Sequence, residues 1–304
     1  MADLSGYFVW NADPVLMRVA GKAIRAYTVC FFLLFVVGYA WWHWQMLRGL
    51  HASKPVSRML PWGAFGIIAG GRLAHCLFYE PAYYLAHPVQ ILDLSRGGVA
   101  SHGSVLGLAL AIVLYARHYD YSLLELLDRM APGAVLAASL VRVGTLFNSE
   151  IVGREWYGPW AVRFPRFTER LQQDWERAEG PLGWLAQPLP RHPAQLYEAA
   201  GMLVVFLLVL AVDRHYGERR WRGLLVGLVL TLLFSFRLAV ESFKEYQRFA
   251  ELAPDAAAQV IRVVPLAQWT MGQWLSPPFV AAGLTLVLFA WRRRLPAARP
   301  SRFD

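Results

Sequence analysis

APGAVLAASLVRVGTLFNSEIVGR, residues 131–154, is the stretch on which the reading of this chain turns. Its first half is apolar. Its second half, from Arg142 to Arg154, carries two arginines, a glutamate, an asparagine and a threonine, with Gly144 and Gly153 allowing close backbone approach. Charged groups are costly at the end of a membrane helix, so an arginine there marks a functional site unless a partner satisfies it.

The whole chain supports the membrane reading. Of 304 residues, 57% are hydrophobic and 17% charged, and the mean hydropathy is +0.34, more apolar than one soluble core requires. Cys30 and Cys76 lie inside apolar runs without the neighbours of a metal or redox motif, so neither a disulfide framework nor a metal site is expected. The net charge of +9 is dispersed between apolar runs, unlike the single basic stripe of a nucleic-acid binder.

Seven apolar spans follow in order, at about 27–44, 62–79, 104–115, 130–147, 196–212, 223–240 and 279–291. The fold class is therefore all-α, a polytopic protein with seven transmembrane helices in a single domain over 1–304. The third span is short unless its start, with His102, also enters the membrane. Hydrophilic residues 151–191 form a small extramembrane flap after the fourth helix. Fourteen lysines and arginines fall on the side of Arg48, Arg117, Arg214 and the C-terminal tail. The short segments of the other side hold six, Arg18, Lys22, Arg25, Arg96, Arg248 and Arg262. By the positive-inside rule the N-terminus is outside and the C-terminus cytoplasmic, so 80–101, 151–191 and 245–270 share the outer side.

Polar residues in or beside the spans are few. Arg72 and His75 share a helix face and form either a packing pair or part of a site. His102, in the glycine- and serine-rich GGVASHGSVLG (97–107), has the side chain whose ordinary pKa suits a base or proton shuttle. Arg142 and Arg237 each end a long span. Either they form ion pairs, Arg142 with Glu150 and Arg237 with Glu241, or they clamp a phosphate, for which the planar guanidinium fork is suited. PRHPAQLYE (190–198) opens the fifth span, with Pro193 at its start; Gln195, Tyr197 and Glu198 there anchor the helix end or line a site.

Four blocks, GGVASHGSVLG (97–107), RVGTLFNSEIVGR (142–154), RHPAQLYE (191–198) and FRLAVESFK (236–244), followed by MGQWLSPP (271–278), resemble the prolipoprotein diacylglyceryl transferase family in order and spacing. The likeness covers nearly the whole chain. It implies transfer of the diacylglyceryl group of phosphatidylglycerol to the lipobox cysteine of a preprolipoprotein signal peptide, with release of glycerol 1-phosphate, in the bacterial inner membrane. Neither metal nor cofactor is implied. By the same resemblance Arg142 and Arg237 hold phosphate and glycerol, and His102 is the candidate base or proton shuttle. Tyr27, Thr145, Asn148, Glu150, Gly153, Arg154, His192, Tyr197 and Glu241 line the substrate site.

The resemblance also implies a lateral opening that admits lipid. Thr145, Ser104, Ala26, Lys244, Arg96 and Ser101 depart from the family pattern. Threonine lacks the paired donor and acceptor of an amide, and lysine lacks bidentate geometry. The alternative to a transferase is an impaired or re-purposed member that binds phospholipid or lipoprotein without transfer.

Overall fold

The computed structural model of the chain describes residues 6–49, 53–93, 100–179, 188–245 and 270–296. Arg96, Arg248, Arg262 and the tail arginines Arg299 and Arg302 lie outside them, as does most of 245–270. Helices dominate: α1 (Ala26–Arg48), α2 (Ser53–Phe78), α3 (Pro81–Ala86), α4 (Ser101–His118), α5 (Leu123–Phe147), α6 (Pro165–Glu179), α7 (Ala194–Tyr216), α8 (Leu224–Val240) and α9 (Met271–Arg293). Five short strands accompany them: β1 (Phe8–Val9), β2 (Val15–Val19), β3 (Lys22–Arg25), β4 (Val162–Arg163) and β5 (Pro190–Arg191). β1, β4 and β5 make one small sheet, and β2 and β3 an isolated hairpin.

Among the described residues five helices, α1, α5, α7, α8 and α9, are long and apolar enough to cross a membrane. A helix occupies each of the seven apolar spans, but the helices outrun the spans. α5 begins at Leu123, ahead of the apolar run, and takes in Glu125, Asp128, Arg129 and Pro132. α2 begins at Ser53 and carries Pro61 inside it. α9 opens on a capping box, the Thr270 hydroxyl accepting from the Gln273 amide while the Gln273 side chain accepts from the Thr270 amide. Apolarity marks the lipid-facing length of a helix, whereas the helix itself continues wherever its polar groups find partners.

The charged start of α5 shows how. Glu125 meets Arg129 at 2.6 Å and Arg220 at 3.3 Å, and Arg129 also reaches Glu218 at 2.6 Å. Asp213 binds Arg48 at 2.8 Å and accepts from Gln45 Nε2 at 3.0 Å. Arg129, Arg220, Asp213 and Gln45 are fully buried. Asp128 accepts from the amides of Gly223 and Val226, at 2.7 and 2.8 Å, and so caps α8 from a neighbouring helix. This knot ties together the last turn of α1, the first of α5, the last of α7 and the first of α8. α9 joins the same end, where Arg222 N donates to Leu295 O at 3.0 Å.

α2 and α4 form a separate pair. Gly66, Gly70 and Ala74 on α2 face Gly103, Gly107 and Ala111 on α4 so closely that a Cβ on Gly66 would stand 2.5 Å from the Gly107 carbonyl. That is the small-residue spacing by which membrane helices bring their backbones together. The pair joins α1 and α5 through one buried cluster, with Trp42, Met46, Val56, Met59, Tyr115 and Leu126, at the knot end. Nearer the other end Phe32, Leu73, Val105 and Leu106 are exposed. Arg72 and His75 are satisfied separately: Arg72 donates to the carbonyls of Gln90, Ile91 and Asp93 at 2.7–2.9 Å, and His75 faces Glu80 at 3.6 Å. Arg72 thus holds the chain after α3 against α2.

Removing one partner from the knot strands buried charge, which costs about 3–5 kcal/mol. Glu125→Ala leaves Arg129 and Arg220 facing each other and is expected to lower the thermal midpoint in detergent sharply, whereas Glu80→Ala, at an exposed pair, is expected to shift it little.

Candidate functional site

At the end opposite the knot, three backbone segments far apart in sequence are laced together. Gly153 N donates to His192 O at 2.9 Å and His192 N to Arg154 O at 3.0 Å; Arg154 N donates to Phe243 O at 2.9 Å and Glu245 N to Val152 O at 3.1 Å. Gly153 fits because it has no side chain: a Cβ there would collide with His192 and lie 2.7 Å from the Phe243 carbonyl. Arg154 turns back, its Nε donating to Lys244 O at 3.1 Å. The ends of α5, α7 and α8 therefore meet at this lacing.

A string of charges runs beneath it. The Glu198 carboxylate, buried near the start of α7, meets Arg142 at 3.4 Å and Lys244 Nζ at 2.7 Å. Lys244 continues to Glu241 at 3.0 Å, and Glu241 accepts from the Thr270 hydroxyl at 3.2 Å. Arg237, one turn before Glu241 on α8, lines a cavity of about 50 Å³ with Glu198, Met202, Leu233, Phe234, Phe236 and Val240. No hydrogen bond or ion pair engages it among the described residues. Three cations and two carboxylates leave the group one positive charge in excess, the sign an anion needs. The far larger hollow of about 810 Å³, between α1 and Leu60 of α2, shares no residue with this group.

The expected ion pairs are not the ones formed. Arg142 takes Glu198 because Glu150 lies beyond the turn that ends α5, where Arg170 reaches it at 3.3 Å and Asn148 Nδ2 donates to it at 3.3 Å. Glu241 faces Lys244 and Thr270 instead of Arg237. Thr145, expected to line the site, is buried with its hydroxyl donating to the carbonyl of Arg142 at 2.8 Å. It steadies the last turn of α5 and has no free hydrogen for a ligand.

The turn after α5 is strained. Ser149 and Ile151 have φ of +51° and +55°, a region that a β-branched residue seldom enters. The strain is held by Gln195 Nε2 donating to Glu150 O at 2.6 Å and by Arg170 donating to Ser149 O at 2.9 Å. Such over-determined turns cluster at functional sites. Tyr27, in the first turn of α1, packs on Gly144, where a Cβ would stand 3.1 Å from its Cα. His102 stands apart, exposed in the first turn of α4 on the separate helix pair, with no hydrogen bond, ion pair or ring contact among the described residues.

His192 is enclosed by aromatic rings: it stacks on Trp156 with centroids 4.4 Å apart and meets Phe243 edge-on at 5.2 Å. Trp160 Nε1 donates to the Tyr197 hydroxyl at 2.8 Å, and that hydroxyl lies 3.0 Å from His192 Nδ1. Burial lowers the His192 pKa from its usual value, so the ring is held neutral with Nδ1 placed to accept from Tyr197.

The residues brought together here come from the blocks at 142–154, 191–198 and 236–244. The family model described as prolipoprotein diacylglyceryl transferase matches residues 14–289. The chain belongs to this family. Among its relatives, the protein of Tolumonas auensis is 36% identical over 291 residues, covering 94% of this chain and 98% of that one. That of Chloroherpeton thalassium is 36% identical, with 94% and 95% covered, and that of Nitrosomonas europaea 34% identical, with 95% and 97% covered. All three carry the name phosphatidylglycerol–prolipoprotein diacylglyceryl transferase.

Glu198, a candidate anchor by sequence, and Lys244, a departure from the family pattern, form the centre of the charge string. A carboxylate one turn inside an apolar helix was the available signal for Glu198.

The lowered pKa of His192 has a stability consequence. The unfolded chain takes up a proton near the ordinary value of 6.5 while the folded ring resists it, so stability rises with pH through that region and falls on acidification. Thermal stability in detergent is expected to drop between about pH 7 and 5, and His192→Asn to flatten that part of the profile.

Proposed function

We propose that this chain transfers the diacylglyceryl group of phosphatidylglycerol to the thiol of the lipobox cysteine in a preprolipoprotein. A thioether forms and glycerol 1-phosphate leaves. The reading is carried by the full-length match to relatives named for that reaction, together with the net positive charge string at one end of the bundle. The match does not favour an impaired member. The chain is a multi-pass membrane enzyme.

In the reaction the cysteine sulfur bonds to the glycerol carbon that bears the phosphate ester, and the carbon–oxygen bond to phosphate breaks. A thiol near its ordinary pKa of about 8.5 is mostly protonated at neutral pH and needs a base; His102 takes that role. Negative charge gathers on the departing phosphate. Arg237 and Arg142 receive it, stabilising the transition state as fixed charges in a dry site do. Glu198 holds Arg142 on one side and leaves its remaining N–H groups for the ligand. Tyr27, Asn148, Glu150, Gly153, Arg154, His192, Tyr197 and Glu241 frame the headgroup and the acceptor segment.

All seven long helices cross the bacterial inner membrane in this reading, with the N-terminus outside and the C-terminus cytoplasmic. The arginine-rich knot end faces the cytoplasm, as the excess of cations there supports. The chain is one integral domain over 1–304. Residues 151–191 form an extracytoplasmic flap that receives the signal peptide, and lipid enters through a lateral opening in the bundle.

Replacing a host's transferase gene with this one is expected to add the diacylglyceryl mass to a reporter lipoprotein, read by mass spectrometry. Arg142→Ala and Arg237→Ala should each lower transfer at least about 100-fold while the protein still inserts. Full activity in both would remove the clamp. His102→Gln is expected to lower the rate about 100-fold or more with phosphatidylglycerol binding retained; an unchanged rate would remove it as the base.

A further inference from the structure

The β2–β3 hairpin precedes α1 directly, with Arg25 the last residue before the helix. Its turn places Ala20 and Gly21 at φ of +47° and +78°, the two positive values that a tight two-residue hairpin turn demands. Among the described residues no third strand joins it and none of its apolar side chains enters a buried cluster; Leu16, Met17 and Val19 are 52%, 57% and 53% exposed. A bare two-stranded hairpin is marginal in water.

The pairing sorts its side chains. Met17 lies opposite Ile24 and Val19 opposite Lys22, so these four share one face, apolar except for Lys22 at the turn. Arg18, opposite Ala23, projects from the other face, and a bulge at Leu16 turns that side chain out of the alternation. From Pro14 to Arg25 there are three cations and no acidic residue, Asp13 being the nearest. None of the three forms an ion pair among the described residues.

We infer that this hairpin is an interfacial arm that lies on the leaflet at the start of α1 and binds anionic phospholipid headgroups there. Because α1 begins one residue after the hairpin and is long enough to cross a membrane, the arm is held at the height of that surface. The headgroup layer is about 5–8 Å deep, the difference between a bilayer's full and hydrocarbon half-thicknesses. Met17, Val19 and Ile24 face the acyl chains, while Arg18, Lys22 and Arg25 meet the phosphates, their long stems letting the charged ends reach that layer. Each cation near an anionic surface strengthens the attraction by about fivefold. The arm thereby enriches anionic lipid beside Tyr27. The inference requires only that α1 crosses the membrane, and it stands or falls apart from the transfer chemistry.

The test uses the full chain with Cys30→Ala and Cys76→Ala, a nitroxide on Met17→Cys, and reconstitution in bilayers of phosphatidylcholine alone or with one-third phosphatidylglycerol. The expected result is a label sheltered from a water-soluble relaxing agent in the anionic bilayer. The balance should shift toward water by at least about tenfold in phosphatidylcholine, or when Arg18, Lys22 and Arg25 are all replaced by glutamine. A label in water in every bilayer overturns the inference. So does a label equally sheltered without anionic lipid and without the cations, which would mean apolar contact alone, or one sheltered only when a lipoprotein signal peptide is added, which would mean a protein partner. Melting of the helical bundle, followed by circular dichroism, checks that the triple variant keeps the fold.

Discussion

A charge taken out of water has to meet an opposite charge, and the two ends of this bundle answer that demand differently. At one end the carboxylates of Glu125, Asp213 and Glu218 saturate Arg48, Arg129 and Arg220. Each of these arginines has a carboxylate partner there, and four helix ends are fixed relative to one another. At the other end Glu198 and Glu241 face three cations, so the pairing is left incomplete by one charge. α5 joins both, with Glu125 in its first turn and Arg142 near its last. The saturated end supplies the rigidity on which the unsaturated end depends.

The membrane class and the helix order were legible in the sequence because apolar runs report lipid-facing length directly. Helix limits were not. The charged start of α5 reads as loop until Glu125, Asp128 and Arg129 are seen to have partners on α1, on α8 and in the turn before α8. Short strands were also missed: β1, β4 and β5 have two residues each and no alternation to detect.

The site was legible as a set of blocks and less so as a set of contacts. Arg142, Gly153, Arg154, His192 and Glu241 were named, and the structure brings them together. Their pairings escaped because helical spacing finds neighbours only within a helix, whereas Glu198 draws its partners from α5 and from the segment after α8. Thr145 shows a contact of another kind. A threonine near a helix end readily returns its hydroxyl to the carbonyl one turn earlier, and Thr145 donates to Arg142 O.

The buried cluster that joins the α2·α4 pair to α1 and α5 lies at the knot end, and Ile112 and Tyr115 of α4 enter it. His102 lies ten to thirteen residues away along the same helix, about 15–20 Å at 1.5 Å per residue. A rotation of 10° about the cluster would carry the imidazole through ~3 Å at that radius, about the length of one hydrogen bond. Packing at one end of the helix thus bears on the reach of a side chain at the other.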